Sequence, residues 1–436
     1  MLELLVLADD FTGALDTGVQ FSRQSIPTLV STRIETLDQG GEISVLALDL
    51  ETRHLSAQAA VERVRQAVQH ARGTGVEIFY KKTDSTLRGN IGGELEALLH
   101  AAGGSLLAFV PAYPQTGRTT VAGRQYVDGV PLHLSPYAAD PQNPVRSSSV
   151  PRIIAEQSSI AVEVVETPEA LDSDRLEREQ RRHCGPKILV FDARSDEELQ
   201  SIAERLRRLG LLRLTAGCAG FAAHLTAVVG LSAKAGTAVE CPDQLLVVCG
   251  STNPVSLEQI EAAVQSGMKR IVFETNHLLY RGHAERIPAA EEDPRLDSST
   301  VSRIGAILDS GWDLILQTAP GGIEPARAGA GRVSPRVVAQ ALGELVARIL
   351  RSRSRLTPVV FGGDTALAVV EGLGSSAIVP IAQIAPGVVL SRMVCDSLPI
   401  PLITKAGGIG SPGIIEEIRG FIRSNPEASS RFSGSC

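Results

Sequence analysis

The sequence predicts two three-layer α/β domains with mainly parallel sheets and an active site in the interdomain cleft. Three observations predict it. Short apolar runs alternate with stretches of helical periodicity along most of the chain, the pattern of parallel sheets covered by helices on both faces. Polar clusters stand at the C-terminal ends of several apolar runs, where ligands gather in open α/β sheets. The 436 residues suffice for two cores, and the small, polar stretch Gly230 to Cys241, followed by Pro242, marks a boundary. The reading is a first domain at 1–235, a second at 243–423 and a frayed tail at 424–436.

The first apolar run, Leu4 to Ala8, ends in Asp9 and Asp10 and opens into a helix over Ala14 to Gln24. One carboxylate there would serve as a helix cap. Two, joined by Thr12 and Asp16, suggest hydroxyl recognition, proton abstraction or metal binding. Strands follow at Thr28 to Thr32 and Val45 to Leu48, the second leading to Asp49, Glu51, Thr52 and Arg53. Ser56 caps a helix whose Val61, Val64, Val68 and Ala71 keep helical spacing.

Val76 to Tyr80 is a strand that runs into Lys81-Lys-Thr-Asp-Ser-Thr-Leu-Arg-Gly-Asn90, ahead of a helix over Ile91 to Ala101. Lys82, Asp84, Ser85, Arg88 and Asn90 offer cations, donors and a carboxylate within a few residues. Arg suits bidentate recognition of carboxylate or phosphate, and Lys acts as a point charge. A small acid bearing hydroxyls would be met by both clusters. Leu106 to Val110 leads into a Pro- and Gly-rich loop carrying Arg118. Gly123 to Ser149 reads as a long ordered loop, with His133 a satisfied structural histidine. Lys187 to Phe191 is the next strand, and Ser195 with Glu198 caps the helix after it.

In the second domain, strands at Gln244 to Val248, Arg270 to Phe273, Leu314 to Thr318, Val359 to Phe361 and Leu402 to Thr404 alternate with helices. Three strand-to-helix turns stand out: Gly250-Ser251, Gly362 to Thr365 and Gly407 to Gly410. Each alone is a tight turn made of glycine. Together they offer backbone N–H groups and helix dipoles to an anion. Gly408-Ile-Gly-Ser-Pro-Gly413 satisfies G-x-G-x-x-G, but no strand follows its helix as a dinucleotide fold requires, and no Walker A loop occurs. An acid-binding domain facing a phosphate-binding one suggests phosphoryl transfer.

The totals exclude other classes. A net charge of −7 argues against nucleic acid as partner. No apolar run approaches the ~20 residues of a membrane span. Six cysteines, at 184, 218, 241, 249, 395 and 436, form no C-x-x-C pair, so zinc is not expected and a reducing cytoplasm is.

Ala8-Asp-Asp-Phe-Thr-Gly-Ala-Leu-Asp16, Lys82-Thr-Asp-Ser-Thr-Leu-Arg-Gly-Asn90, Phe109-Val-Pro-Ala-Tyr-Pro114, Tyr126-Val-Asp-Gly-Val-Pro-Leu132, Gly362-Gly-Asp-Thr365 and Lys405-Ala-Gly-Gly-Ile-Gly410 closely resemble the four-carbon acid sugar kinase family. The resemblance implies a sugar-acid-binding N-terminal domain, a nucleotide-binding C-terminal domain, and ATP-dependent phosphorylation of the terminal hydroxyl of a tetronate or 3-oxo-tetronate. It implies ATP contacts from Ser251, from Gly362, Gly363, Asp364 and Thr365, and from Gly408, with Lys405, Gly407 and Gly410 in the same turn. Where the family often shows Gly-Ser-Ala-Gly this chain has Gly217-Cys-Ala-Gly220, and Ile409 replaces a common Phe. The Ala8 to Val19 run and Lys405-Ala-Gly-Gly resemble the D-threonate or D-erythronate branch, with 3-oxo-tetronate the alternative.

On this reading Arg88 and Lys82 bind the substrate carboxylate and Asp10, Asp16 and Asp84 take its hydroxyls. Asp10 or Asp84 would be the catalytic carboxylate, and Mg²⁺ is expected on the ATP phosphates. A hydrolase of a phosphorylated sugar acid, or a non-catalytic sensor of sugar acids and nucleotides, would use the same clusters. A homodimer is the default assembly for such an enzyme.

Overall fold

The computed structural model describes residues 2–38, 42–140, 142–172, 185–234, 236, 238–251, 253–273, 298–318, 335–353, 355–375, 377–395, 399–425 and 427–429. They fall into two compact units, Met1–Gly236 and Thr237–Ser429.

The N-terminal unit contains strands β1 (Leu4–Ala8), β2 (Thr28–Ser31), β3 (Val45–Asp49), β4 (Ile78–Lys82), β5 (Leu106–Val110), β6 (Arg118–Val121), β7 (Arg124–Val127), β8 (Val130–Pro131), β9 (Ala161–Val165), β10 (Lys187–Phe191) and β11 (Leu214–Gly217). Eight of them form its main sheet, in the order β2-β3-β1-β4-β11-β5-β10-β9, with every pair parallel. Side chains alternate across a strand, and here both faces are used. Leu5, Leu7, Leu46, Leu48, Phe79, Leu107 and Phe109 form one core with helices Ala57–Gly73 and Ile91–Ala101. Their neighbours Leu4, Val6, Val45, Ala47 and Tyr80 are equally buried on the other face, where helix Phe11–Ser22 packs on Ala219–Leu225.

Two expectations change. Helix Phe11–Ser22 begins three residues before Ala14, because Asp10 accepts from Gly13 N and caps it. The Pro- and Gly-rich loop carrying Arg118 and the start of the long loop expected over Gly123 to Ser149 together build a small antiparallel sheet, β6-β7-β8, closed by positive-φ residues at Ala122, Gly123, Asp128 and Gly129. His133 Nδ1 lies 2.7 Å from Ser148 Oγ, the structural role expected for it.

In the C-terminal unit the strands are β12 (Ala238–Glu240), β13 (Leu245–Cys249), β14 (Lys269–Phe273), β15 (Leu314–Thr318), β16 (Thr357–Phe361), β17 (Ala377–Ala385), β18 (Val388–Val394), β19 (Ile400–Lys405) and β20 (Glu427–Ser429). The main sheet runs β14-β15-β13-β16-β19-β18-β17, parallel as far as β19 and antiparallel beyond it. The hairpin β17-β18 is long, and its irregular alternation, including Pro380, conceals it in the sequence. The expected frayed tail is ordered at Glu427–Ser429, which pairs antiparallel with β12; residues 426 and 430–436 of that tail lie outside the described ones. Cys184 and Cys436 lie outside them too.

Helices Pro254–Gln265 and Ile414–Ser424 cover one face of this sheet through Ile260, Ile414 and Ile418, and helices Pro335–Ser352 and Gly363–Gly372 pack on each other. The second pair touches at Gly343, where a Cβ would lie 2.5 Å from the Ala368 carbonyl carbon and 2.6 Å from its Cβ. Backbone cannot yield there as a flexible side chain could. Gly343→Ala is therefore expected to cost about 1–3 kcal/mol in denaturant unfolding. Gly420→Ala, with open space around it, is expected to leave stability unchanged or raise it by up to about 1 kcal/mol.

Candidate active site

In the N-terminal unit the register places Asp49, Ala8 and Lys82 in one row across β3, β1 and β4. The segments leaving these three neighbouring strands therefore meet at one sheet edge. Asp9 and Asp10 follow β1, Thr52 and Arg53 follow β3, and Asp84 follows β4. Arg53, to which the sequence pattern assigns no role, stands at the centre. Its Nε lies 2.8 Å from Asp9 Oδ2, its Nη1 2.7 Å from Asp10 Oδ2 and its Nη2 3.7 Å from Asp84 Oδ1. The available signal was positional: Arg53 follows a strand end as the aspartates do.

Burial alone would raise the Asp10 carboxyl, but the Arg53 and Lys82 charges outweigh it and hold Asp10 below the ordinary range. Thr12 Oγ1 donates to Asp10 Oδ2 at 2.9 Å, so Thr12 orients this carboxylate. Asp10 is the most exposed of the three, its side chain 19% accessible against 3% for Asp9 and 9% for Asp84.

Asp84 and Arg88 differ from their expected roles. Burial raises the Asp84 carboxyl, yet Arg88 and Arg53 together pull it well below the usual carboxylate range. Arg88 grips it with Nε at 2.8 Å and Nη2 at 2.9 Å, while Nη1 reaches Asp140 Oδ2 at 3.1 Å. Thr86 donates to it as well. Expected to stand open to a substrate, Arg88 is bound within the protein, and Asp84 is saturated with donors. Asn90 likewise is structural in this state, its Nδ2 donating to the Thr52 and Leu55 carbonyls and tying the β3 and β4 segments together. Ser85 offers its carbonyl to Gln125 Nε2.

Lys82 is different. Alternation turns Lys81 to one face, where it pairs with Glu94 at 2.6 Å, and Lys82 to the other. Lys82 is buried, yet among the described residues its ammonium makes no hydrogen bond or ion pair. A Cβ on Gly13 would collide with Asp10 and lie 2.7 Å from Lys82 Nζ, which places the ammonium beside the first helical turn. Asp16 is buried in the next turn, where its charge adds to the burial that lifts the Cys218 thiol to about 11, while Lys82 opposes that rise. The unit thus presents an ammonium next to an ionised, partly exposed carboxylate.

In the C-terminal unit a second row, Cys249, Phe361 and Lys405, crosses the neighbouring strands β13, β16 and β19. Two of the glycine turns begin one residue beyond it and the third two residues beyond, so adjacency of the strands brings them together. A Cβ on Gly250 would lie 2.6 Å from Thr365 Oγ1, and one on Gly407 would lie 3.5 Å from Ser251 Oγ. Gly362 has φ +97°, which a side chain rarely adopts, and precedes helix Gly363–Gly372. Asp364 is exposed in the first turn of that helix. Lys405 does not reach outward: it is fully buried, with Nζ donating to Ser256 Oγ at 3.3 Å and to the Gly407 carbonyl at 3.0 Å.

Residues 4–225 match the family model of a sugar-binding N-terminal domain, and residues 246–415 that of a nucleotide-binding C-terminal domain. The class is therefore a two-domain protein with a sugar-binding and a nucleotide-binding half. The chain is 31% identical to a D-threonate kinase of Bordetella bronchiseptica, over 94% of this chain and 95% of that one. It is 27% identical to a D-erythronate kinase of Heliobacterium modesticaldum (94% and 95%) and 30% identical to a 3-oxo-tetronate kinase of Methylobacterium radiotolerans (94% and 96%). A crystal structure from Salmonella typhimurium LT2 shares the fold with a TM-score of 0.73 at 25% identity, over 96% of this chain and 99% of that one. The chain belongs to the four-carbon acid sugar kinase family.

Removing the Arg53 charge leaves three carboxylates facing one another. Arg53→Met is expected to cost about 3–5 kcal/mol of stability at neutral pH. The sign with pH follows. Arg53 helps to hold Asp10 and Asp84 below the ordinary carboxyl range, so the stability it contributes is fully present above that range and is lost as pH falls through it. Denaturant titrations should therefore find the deficit of the variant smaller near pH 3 than at pH 7.5.

Proposed function

We propose that this protein transfers the γ-phosphoryl group of ATP to the terminal hydroxyl of a four-carbon sugar acid, D-threonate or D-erythronate. The observation that carries the reading is the Lys82 ammonium, unpaired among the described residues, beside the ionised Asp10 at the strand ends of the sugar-binding unit. A substrate carboxylate supplies the partner that Lys82 lacks, and Asp10 accepts a hydrogen bond from a hydroxyl on the same molecule. Asp10 suits this better than Asp84 because it is the more exposed and carries fewer internal donors. In the C-terminal unit, Ser251, Gly362 to Thr365 and Gly407 to Gly410 take the nucleotide phosphates through turn and helix N–H groups.

Mg²⁺ would neutralise phosphate charge when bound with the nucleotide. Among the described residues no three His, Cys, Asp or Glu side chains converge on one point. That donor set suits an ion held mainly by phosphates and water, with Asp364 the carboxylate that the turns offer. Phosphoryl transfer depends chiefly on positioning and charge neutralisation. Asp10 therefore orients the attacking hydroxyl and receives its proton late, a task its lowered pKa allows.

ADP release from Mg-ATP, with D-threonate, D-erythronate, L-threonate and the 3-oxo acids offered separately, tests the reading. Stimulation by one acid over a no-acid control is expected. Phosphate release from a phosphorylated acid without ATP would instead mark a hydrolase, and binding without turnover a sensor. Lys82→Met is expected to raise KM for the acid at least about tenfold with KM for ATP unchanged. Asp10→Asn is expected to lower kcat at least about tenfold; turnover within a few-fold of wild type removes Asp10 from this role. Because Asp10 is held below the ordinary carboxyl range, its acid limb in kcat/KM should fall below about pH 4.

A further inference from the structure

Resting on the reading that the C-terminal unit binds ATP, we propose that Ser256, Gln259 and Lys405 are positioning residues for the nucleotide. They fix the Gly407–Gly410 turn from behind, and Lys405 sets a positive charge with no carboxylate partner beneath it.

Three carbonyls of the turn are drawn to one side. The Gly407 carbonyl accepts from Ser256 Oγ at 2.7 Å and from Lys405 Nζ at 3.0 Å. Gln259 Nε2 donates to the Ile409 carbonyl at 3.2 Å and the Ser411 carbonyl at 3.0 Å. In a trans peptide the carbonyl and the following N–H point opposite ways, and the described chain has no cis bond. Anchoring the Ile409 carbonyl therefore turns the N–H group of Gly410 away from the frame, towards the side from which an anion would be met.

Lys405 adds charge to this geometry. Ser256 and Gln259 are fully buried like it, and its ammonium also lies 4.7 Å from the centre of the Phe361 ring. Among the described residues no carboxylate pairs with it; the titratable side chain facing it is Cys249, from β13, whose thiol is pushed up by burial and so stays neutral. Burial brings Lys405 itself down to about 7. An arriving polyphosphate favours the charged amine, so nucleotide binding draws a proton onto Lys405. By linkage, affinity falls as pH rises through that value.

The test is ATP affinity, by equilibrium titration between pH 6 and 9, in wild type, Lys405→Met and Gln259→Met, with KM for each substrate. Lys405→Met loses charge and anchor together, so it is expected to bind ATP more than about tenfold more weakly at pH 6, the deficit narrowing to about fivefold at pH 9, with KM for the acid unchanged. Gln259→Met loses the anchor and keeps the charge, so a fall of about fivefold at every pH is expected. Comparison with wild type cancels the titration of the nucleotide itself. A Lys405→Met curve parallel to wild type, or an equal rise in KM for the acid, overturns the proposal and leaves the kinase reading intact. Wild-type protein that binds no ATP overturns both. Should Lys405→Met not fold, the Gln259→Met result decides the positioning role, unchanged affinity overturning it.

Discussion

The N-terminal site depends on one guanidinium. Asp9, Asp10 and Asp84 leave adjacent strand ends, and without Arg53 among them their mutual repulsion would oppose the convergence of those strands. A planar fork suits this position because its several donors can serve separate carboxylates at once. A lysine would supply the charge without that geometry. Arg53 consequently does two things: its charge lowers the pKa of Asp10 and of Asp84, and its geometry leaves Asp10 as the member with an accessible edge.

A division of labour among cations follows. Arg53 and Arg88 are consumed by internal carboxylates, and Lys81 by Glu94. Lys82, next in sequence to Lys81, is left with no partner among the described residues, because alternation along β4 turns it to the opposite face. Lys82 is thus the cation of this cluster that folding has not used, which is why the proposed function gives it the substrate carboxylate. In the C-terminal unit the same logic is worked in backbone: Ser256, Gln259 and Lys405 take up the turn carbonyls, so the outward chemistry is left to N–H groups. On the proposed function the two units meet anions by different means, one with a side-chain charge and the other with oriented peptide dipoles.

Much of this was legible from local pattern. The opening strand, its aspartates, the polar decapeptide after β4 and the three glycine turns are contiguous signals, and the parallel α/β architecture follows from their spacing. Asp10 was read either as a cap or as a functional carboxylate, and it caps helix Phe11–Ser22 while keeping an exposed edge. Hairpin β17-β18 and the β6-β7-β8 sheet were missed, since antiparallel pairing inside a parallel pattern leaves no distinctive period. Arg88 reads as a ligand contact because its residue type fits, and Lys405 because the family resemblance places it in the nucleotide turn. Only partners distant in sequence, Asp140 for the first and Ser256 for the second, reveal that these side chains are committed inward.

What the sequence by itself determined is which residue types stand at the ends of which strands, and hence the fold class, the family and the chemistry on offer. Periodicity and turn residues are local properties, and a strand end is recognisable without knowing its neighbours. What only the tertiary structure decided is which of those groups remain available. Strand order places β3 and β4 on either side of β1, and β16 between β13 and β19. That order decides which charges cancel and which carbonyls are held. Electrostatic pairing acts through space rather than along the chain, so Arg53 could be seen as the centre of its site only once those strands lay side by side.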